Sequence, residues 1–408
     1  MKVYRTDQIR NVVLLGHGGA GKTTLAEAMA YLAGITNRLG KVTDGNTVSD
    51  YDKEEIKRKF SISTSVIPLE WNDNKINILD TPGFFDFVGE AEEAAYAADA
   101  AIIVVSGKSG VEVGTQKAWD LCEKYKLPRM FFVTDMDIDD VSYRKVVEEL
   151  QELYGKKVAP LHMPIRENGK YIGYANVVKN VARRYTDKDK KVECPVPDYA
   201  EEYLEDYRNE LLEAVAETSE EFMERFFDGE EFSVEEIMGA LRINVADGSI
   251  IPVCMGAPVN IQGVRILLND IISYFPNPSM RKKTALDRNN SSKFEANYNF
   301  QKPKTAQVWK TIVDPFLGKY SLIKVCSGVI KSADTLYDVT QDKEMKIGKL
   351  YILCGSKSEE VAEVHAGDIC ALAKLNDVKT GDTFALKNNV VDYGPVAISK
   401  PYTVKKYS

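Results

Sequence analysis

Apolar runs alternate with helical segments over the first 150 residues of the chain. Four of these runs have the length and composition of buried strands, and they are NVVLL, KINILD, AIIVVS and RMFFVT, beginning at residues 11, 75, 101 and 129. Apolar residues spaced by three and four positions lie between them, a pattern typical of crossover units that build a parallel sheet with helices on both faces. The same alternation of an apolar run and a helical segment returns after residue 249 and ends at Pro276. The pattern therefore predicts an α/β domain over residues 1–281.

Two further patterns interrupt or follow this domain. Residues 160–248 predict an α+β insert, with a hairpin in GKYIGYANVV and helices in YAEEYLEDYRNELLEAVAE and SEEFMERFF. A tract rich in Lys, Asn and Ser at 282–302 predicts a linker. Residues 303–390 hold short β-rich segments divided by Asp, Gly and Ser turns, which predicts an antiparallel β-barrel domain without a catalytic constellation of its own. Residues 391–408 are expected to begin a truncated third domain, as in a fragment of a longer protein.

Composition narrows the class of protein. Six cysteines without CxxC spacing and three histidines suggest neither a zinc site nor a disulfide framework. The chain has no run of 18 apolar residues and no apolar stretch of a signal peptide at its N-terminus, so we expect a cytoplasmic protein without membrane contact. The net charge of −8 argues against general nucleic-acid binding. Sixteen acids against Arg208 and Arg225 between 198 and 236 favour either a docking face or the solvated side of two helices.

The sequence GHGGAGKTT carries the strongest chemical signal. It follows the first apolar run and precedes a helical pattern, as a phosphate-binding loop of the form GxxxxGK[ST] does. Glycines let backbone N–H groups surround a phosphate, and the following helix directs the positive end of its dipole at the same anion. Lys22 is expected to reach the β- and γ-phosphates, and the Thr23 hydroxyl to bind Mg²⁺. The predicted nucleotide-binding residues of this loop are Gly16, His17, Gly18, Gly19, Ala20, Gly21, Lys22, Thr23 and Thr24.

A DTPG motif ends the second apolar run. Its Asp80 lies at the carboxyl end of a predicted strand, where α/β folds bind phosphates, and it is expected to hold Mg²⁺ through water. The backbone N–H of Gly83 is expected to meet the γ-phosphate, which makes the following loop a sensor of that phosphate.

A third motif, VTDMD, closes the run RMFFVT at the position where GTP-binding domains carry Asn-Lys-x-Asp. Only the final acid matches. Asp137 is expected to accept hydrogen bonds from guanine N1–H and its exocyclic amine, which adenine does not offer. Thr134 and Asp135 stand at the other two positions. The alternative is a surface acidic turn that continues through residues 138–140.

Together these motifs resemble the translational GTPases, and specifically elongation factor G and its close paralogues. The resemblance extends over long strings of nearly the whole chain, among them DFVGEAEEAAYAADAAIIVV, GVEVGTQKAWDLCEKYKLPR, GVRILLNDIISYFPNPS and EEVAEVHAGDICAL. It implies a Mg²⁺-dependent switch that binds GTP and GDP, hydrolyses GTP, and works as a monomer on the ribosome, with the insert facing the stalk protein and no sequence-specific nucleic acid bound.

The resemblance also implies site residues outside the motifs. Segment 47–65 is similar to the first switch loop, with Ser61 at the position of a magnesium-binding threonine. Gly256 and Ala257 stand where a Ser-Ala turn supports the guanine oxygen.

Departures from the family pattern concern catalysis. Phe84 replaces the histidine that positions the attacking water, Gly19 replaces an acid of the phosphate loop, and the changes at 134 and 135 are expected to weaken base binding. Two alternatives to an active GTPase therefore stay open. One is a guanine-nucleotide-binding module that occupies or senses the ribosome with impaired hydrolysis, and the other is a paralogue of the ribosomal-protection type. A P-loop ATPase or kinase is disfavoured by Asp137 and by the barrel.

Overall fold

The computed structural model describes residues 2–314 and 318–399, in two compact units. The first unit comprises residues 2–13, 61–99 and 277–399, and the second comprises 14–60 and 100–276. Strand β1 (Ile9–Leu15) contributes to both, because the division falls after Val13. Each unit is described by itself.

The first 160 residues alternate strands and helices as the hydrophobic pattern predicts. After β1 the elements are α1 (Lys22–Leu32), α2 (Lys53–Arg58), β2 (Ser65–Trp71), β3 (Asn74–Asp80), α3 (Val88–Ala97), β4 (Ala100–Ser106), α4 (Val113–Tyr125), β5 (Arg129–Thr134), α5 (Tyr143–Tyr154) and β6 (Val158–Pro160). All four apolar runs form strands, which confirms that part of the prediction.

The insert contains a sheet and three helices. These elements are β7 (His162–Glu167), β8 (Lys170–Asn176), β9 (Val181–Asp187), β10 (Lys190–Cys194), α6 (Asp198–Ala216), α7 (Glu220–Phe227) and α8 (Val234–Asp247). The string GKYIGYANVV, predicted as a hairpin, instead forms the single strand β8, because its Gly173 pairs with both neighbouring strands and does not turn the chain. Strand β8 lies in a four-stranded antiparallel sheet in the order β10-β9-β8-β7. The two helices predicted here are confirmed as α6 and α7.

In the second unit a parallel sheet supports the loops of interest. Strand β11 (Ile251–Met255) follows the insert, and α9 (Val264–Tyr274) follows β11. The strands lie in the order β4-β5-β11-β6, and all three pairings are parallel. These strands are almost wholly buried, as expected for a parallel sheet covered by helices. The carboxyl ends of neighbouring parallel strands meet at one edge, where ligands bind in such folds.

The first unit contains the remaining strands of this region and the β-rich part of the chain. Its strands β2, β3 and β1 are neighbours in that order, and β2 pairs with β3 antiparallel, which the expectation of parallel crossovers did not foresee. The later strands are β12 (Thr284–Asp287), β13 (Ser292–Glu295), β14 (Thr305–Asp314), β15 (Gly318–Ser327), β16 (Val329–Lys331), β17 (Thr335–Asp338), β18 (Lys343–Lys346), β19 (Leu350–Cys354), β20 (Lys357–Val361), β21 (Glu363–His365), β22 (Ile369–Ala373), β23 (Thr383–Ala385) and β24 (Val391–Asp392).

Eight of these strands form one antiparallel sheet, in the order β18-β17-β23-β14-β15-β22-β19-β20. Buried aliphatic side chains and Phe384 fill its interior. The architecture is therefore a mixed α/β P-loop domain with an α+β insert, followed by an antiparallel, barrel-like β domain.

The segment predicted as a linker, residues 282–302, contains two strands. It forms the hairpin of β12 and β13, and β12 also pairs with β24. The linker prediction did not include this hairpin, because β12 finds its second partner about 100 residues away in the chain. Residues 400–408 of the predicted third domain lie outside the described residues, and the domain boundaries stay a prediction.

Candidate functional site

The predicted phosphate loop lies between the end of β1 and the start of α1. Gly16 and Gly21 have φ values of 139° and 96°, which favour glycine. A Cβ atom on Gly16 would lie 2.3 Å from the Val104 carbonyl oxygen, so no other residue fits there without moving β4. Lys22, the first residue of α1, is buried. Its Nζ donates to the carbonyl oxygens of Gly16 and His17 at 3.0 and 2.8 Å, which keeps the ammonium within the loop.

His17 connects this loop to the start of α4. Its Nδ1 accepts a hydrogen bond of 3.2 Å from the Gly114 N–H, and its Nε2 lies 3.5 Å from a carboxylate oxygen of Glu112. The sequence placed His17 among the nucleotide-binding residues on position alone. The structure shows a supporting role, because these two contacts fix the loop against the start of α4.

The predicted base-recognition residues lie in the same unit as the phosphate loop. Thr134 ends β5, and its buried hydroxyl donates to the Ala20 carbonyl oxygen at 2.9 Å. This hydroxyl therefore supports the phosphate loop. Asp135 adopts a φ of 64°, and its carboxylate accepts a 2.6 Å hydrogen bond from Ser106 Oγ. Asp137 is the exposed residue among these three. Its pKa is raised, mainly because the protein shields part of its carboxyl group from water and also because the Asp135 carboxylate lies nearby.

The loop after β11 lies directly beside the loop after β5. The Gly256 N–H donates to the Val133 carbonyl oxygen at 3.0 Å, and the Met136 N–H donates to the Gly256 carbonyl oxygen at 3.3 Å. Ala257 closes a tight turn by exchanging backbone hydrogen bonds with Gln262. The structure thus brings together the phosphate loop, the 134–137 loop and the 256–257 turn, three segments widely separated in sequence.

The predicted switch residues Ser61, Asp80, Gly83 and Phe84 lie in the first unit, whereas Thr23 lies in the second. Asp80 ends β3 opposite Ser65 of β2, so the antiparallel pairing brings the end of segment 47–65 to the DTPG motif. The Asp80 side chain is 1% exposed. Phe84 is extended, with φ −84° and ψ 140°, and 43% exposed.

Sequence reasoning missed a buried glutamate that binds the backbone at residue 40 and at the start of segment 47–65. Glu27 of α1 accepts hydrogen bonds from the Gly40 N–H at 3.0 Å and the Val48 N–H at 2.8 Å, one on each carboxylate oxygen. It is 1% exposed. A glutamate within the otherwise apolar stretch 25–30 of α1 was the available signal, because buried carboxylates need partners. Segment 47–65 also contains the short helix α2, capped by Asp52.

A second missed group is the buried cluster of His162, Cys254 and Asp270. The Cys254 Sγ lies 3.7 Å and the His162 Nε2 lies 3.8 Å from the same Asp270 oxygen. Burial raises the pKa of Asp270 to about 7 and lowers the pKa of His162 to about 3. Positive charge on Lys179 and Lys191 also acts on the carboxyl. The three side chains form a buried polar group within the core, and their residue types are ones that zinc accepts.

Comparisons with known proteins agree with this geometry. Residues 7–277 match the family model described as elongation factor Tu GTP binding domain, and residues 303–387 match elongation factor G domain 2. A crystal structure of a protein from Thermus thermophilus is 34% identical and superposes with a TM-score of 0.82. The match covers 93% of this chain and 54% of that one, so the chain spans about half the length of the structure it resembles.

Among the described residues, no helix combines the length and apolarity that a bilayer span requires.

The phosphate loop, the loops beside it and the two family matches carry the identification. The chain belongs to the translational GTPases, with a GTP-binding domain of the elongation factor Tu type followed by an elongation factor G second domain.

Proposed function

We propose that this chain is a Mg²⁺-dependent guanine-nucleotide switch that acts on the ribosome and hydrolyses GTP only with help from it. The observation that carries the proposal is the closed phosphate loop, in which Lys22 lies within hydrogen-bond distance of the Gly16 and His17 carbonyls at the start of α1. That arrangement presents backbone N–H groups, a helix N-terminus and an ammonium to one anion. The two base-side loops are hydrogen-bonded to each other, and Thr134 of one of them is hydrogen-bonded to this loop.

Thr23, Ser61 and Asp80 are the residues that we assign to Mg²⁺. They offer hydroxyl and carboxylate oxygens, the donors that this ion takes. Ser61 and Asp80 are both buried near the β2–β3 pairing, which suits ligands that must be held in place. When bound, Mg²⁺ neutralises charge on the β- and γ-phosphates.

The protein groups contribute binding and positioning. Lys22 balances phosphate charge, and the Gly83 N–H is assigned to the γ-phosphate. Phe84 stands where a donor would orient the attacking water, and a phenyl ring has no hydrogen-bonding group to do so. Loss of one such group typically lowers a rate by about 100-fold to 1000-fold. We therefore assign slow intrinsic turnover to the free protein.

Base preference rests on Asp137 in this proposal. Because the Thr134 hydroxyl is directed to Ala20 and the Asp135 carboxylate binds Ser106, those two side chains are engaged within the protein. Guanine then has one carboxylate partner, Asp137. This partner gives selectivity for guanine over adenine, but the affinity for the nucleotide is lower than with a complete Asn-Lys-x-Asp motif. We also assign the ribosomal stalk as the partner of the acidic insert helices α6 and α7.

A second function is favoured by the same Phe84. A protein that binds GTP and occupies the factor site of the ribosome without useful hydrolysis would act by occupancy or as a ribosomal-protection paralogue. The distinction is kinetic, since both functions require nucleotide binding.

The test is GTP binding and phosphate release by the purified chain, with Mg²⁺, with and without ribosomes, and with ATP as competitor. Binding with ribosome-stimulated release supports the switch, and binding without release supports the occupancy function. The matched variant Lys22→Ala should lose binding. If the wild-type protein binds neither nucleotide, or binds ATP in preference, the proposal is overturned.

A further inference from the structure

The helix that follows the DTPG loop, α3, carries carboxylates that face the β domain within the first unit. Glu90, in the first turn of α3, forms a short ion pair with Lys310 of β14. A second carboxylate oxygen, on Glu93, lies 3.7 Å from the same Nζ. Burial raises the pKa of Glu93 to about 7, against the opposing effect of Lys310. Because its carboxylate lies nearer to Nζ than that of Glu93, Glu90 is the main ionic partner of Lys310.

Glu90 has another partner, on the segment that leads from Ser61 into β2. The same Oε2 accepts a 2.6 Å hydrogen bond from the Thr64 N–H, and the Thr64 hydroxyl donates to the Glu90 carbonyl oxygen at 3.0 Å. One carboxylate thus joins three elements: the end of the first switch segment, the helix after the DTPG loop, and a strand of the β domain. Displacement of either switch element disturbs the partner of Lys310.

The strand side of this contact is buried. The Lys310 side chain is 3% exposed, and β14 pairs with both β15 and β23 in the eight-stranded sheet. An ammonium left in such a position without its counter-charge is strongly unfavourable. If Glu90 moves, the Lys310 side chain must either move with it or turn toward solvent. Either movement disturbs the pairing of β14 with its neighbouring strands.

The opposite end of α3 is fixed. Lys324 of β15 donates to the Ala97 carbonyl oxygen at 2.8 Å and to Asp99 Oδ1 at 2.6 Å, in an ion pair that is almost fully buried. At the start of the helix, by contrast, Val88 is 45% exposed. Lys324 thus holds the C-terminal end of α3, whereas its first turn is held to Thr64 and Lys310 through Glu90.

We propose that Glu90 and Lys310 form a relay that reports the nucleotide state of the switch segments to strand β14 of the second domain. This inference rests on the proposed function, since it requires that the loop after Asp80 responds to the γ-phosphate, as switch segments of GTPases do. The role of both residues is positioning, because neither is assigned to the nucleotide.

Amide hydrogen exchange of the full chain tests the relay with GDP and with a non-hydrolysable GTP analogue. Exchange of peptides from residues 16–24 reports nucleotide binding, and exchange of β14 reports the response of the second domain. In the wild-type protein we expect the β14 rates to differ by about fivefold between the two nucleotides, at the low end of measured allosteric couplings. In Lys310→Met the difference should fall below about twofold, while protection of 16–24 is kept.

Two further variants make the result specific. Glu90→Gln retains an acceptor for the Thr64 N–H but removes the charge that Lys310 requires, so it should reduce the β14 response as Lys310→Met does. Lys343→Met removes an exposed ion pair with Asp377 elsewhere in the β domain and should leave the response intact. If Lys310→Met does not fold, which its unfolding midpoint will show, Glu90→Gln decides.

The outcomes separate the relay from the function on which it rests. A wild-type protein that protects 16–24 but shows no nucleotide dependence in β14 overturns the relay alone. The same conclusion follows if both relay variants keep the wild-type response, or if Lys343→Met loses it equally. Absence of protection at 16–24 with either nucleotide overturns the proposed function and the relay together.

Discussion

At the scale of single residues, Phe84 is the position to which we assign the loss of hydrolysis rate in the proposed function. Its ring is 43% exposed on the loop after the DTPG motif. We expect Phe84→His to raise ribosome-stimulated phosphate release by about 100-fold, because a ring N–H can orient the attacking water. Affinity for GTP should change by less than about twofold, since the side chain is not assigned to the ground-state nucleotide. Single-turnover phosphate release at saturating GTP measures the effect.

The neighbouring Phe85 provides the matched control for this prediction. It is 47% exposed, on the same loop, so Phe85→His introduces the same group one position away and should leave the rate unchanged. An unchanged rate in Phe84→His would favour the occupancy function, because the chain would then lack more than one donor.

Glu27 is the residue for which the expected effect is conformational. Both of its oxygens accept backbone N–H groups, from Gly40 and Val48. In Glu27→Gln one oxygen still accepts a backbone N–H, but the amide NH₂ faces the other backbone N–H, and two donors cannot form a hydrogen bond. An unsatisfied buried group of this kind costs about 1–3 kcal/mol. Local opening of residues 40–48 should become about tenfold more frequent, as measured by hydrogen exchange of these amides.

A matched substitution on an exposed carboxylate tests this interpretation. Glu54 of α2 forms an exposed ion pair with Arg58, so Glu54→Gln should not change exchange at Gly40 or Val48. Equal exchange in wild-type protein and Glu27→Gln would show that other contacts hold the segment.

At the scale of elements, the cluster of His162, Cys254 and Asp270 connects β7 of the insert to β11 and α9. Asp270 has an ordinary pKa of 3.8 and a folded pKa of about 7. Between these values the native state holds a proton that the unfolded chain releases, so stability falls as pH rises from about 4 to 7. His162, with a folded pKa of about 3, contributes the opposite trend up to its unfolded pKa of about 6.5.

Asp270→Asn should remove the first trend and leave the second. The free energy of unfolding of wild-type protein relative to the variant should therefore decrease with rising pH, by at most about 1.4 kcal/mol per pH unit. Urea unfolding at several pH values between 4 and 7 measures this difference. A flat difference for Asp270→Asn would contradict the raised pKa.

The elements also show which parts of the protein local sequence can predict. The phosphate loop and the strands beside it are encoded in continuous residues, through glycines, a lysine and apolar runs, and these were predicted. The hairpin of β12 and β13 was not, because its polar composition resembles a linker and its pairing with β24 is distant in the chain. Glu90 and Lys310 are 220 residues apart, and neither residue type in isolation indicates that they meet.

At the scale of the whole molecule, binding of nucleotide should be measurable as stability. A ligand that binds only the native state raises the free energy of unfolding by about 2.7 kcal/mol at a concentration 100 times its Kd. We expect GDP with Mg²⁺ to raise the unfolding midpoint of the chain, and ATP at the same concentration to leave it nearly unchanged, because we assign Asp137 to guanine.

The variants locate this stabilisation within the molecule. Lys22→Ala should abolish the shift, since the phosphate charge loses its partner, while Lys310→Met should preserve it, since the relay lies away from the residues assigned to the nucleotide. Removal of Mg²⁺ by chelation should reduce the shift for the wild-type protein, because Thr23, Ser61 and Asp80 are assigned to the ion. Equal shifts with GDP and ATP would show that the loop binds phosphate without reading the base. In that case the changes at Thr134 and Asp135 would have removed guanine selectivity while the phosphate loop still functioned.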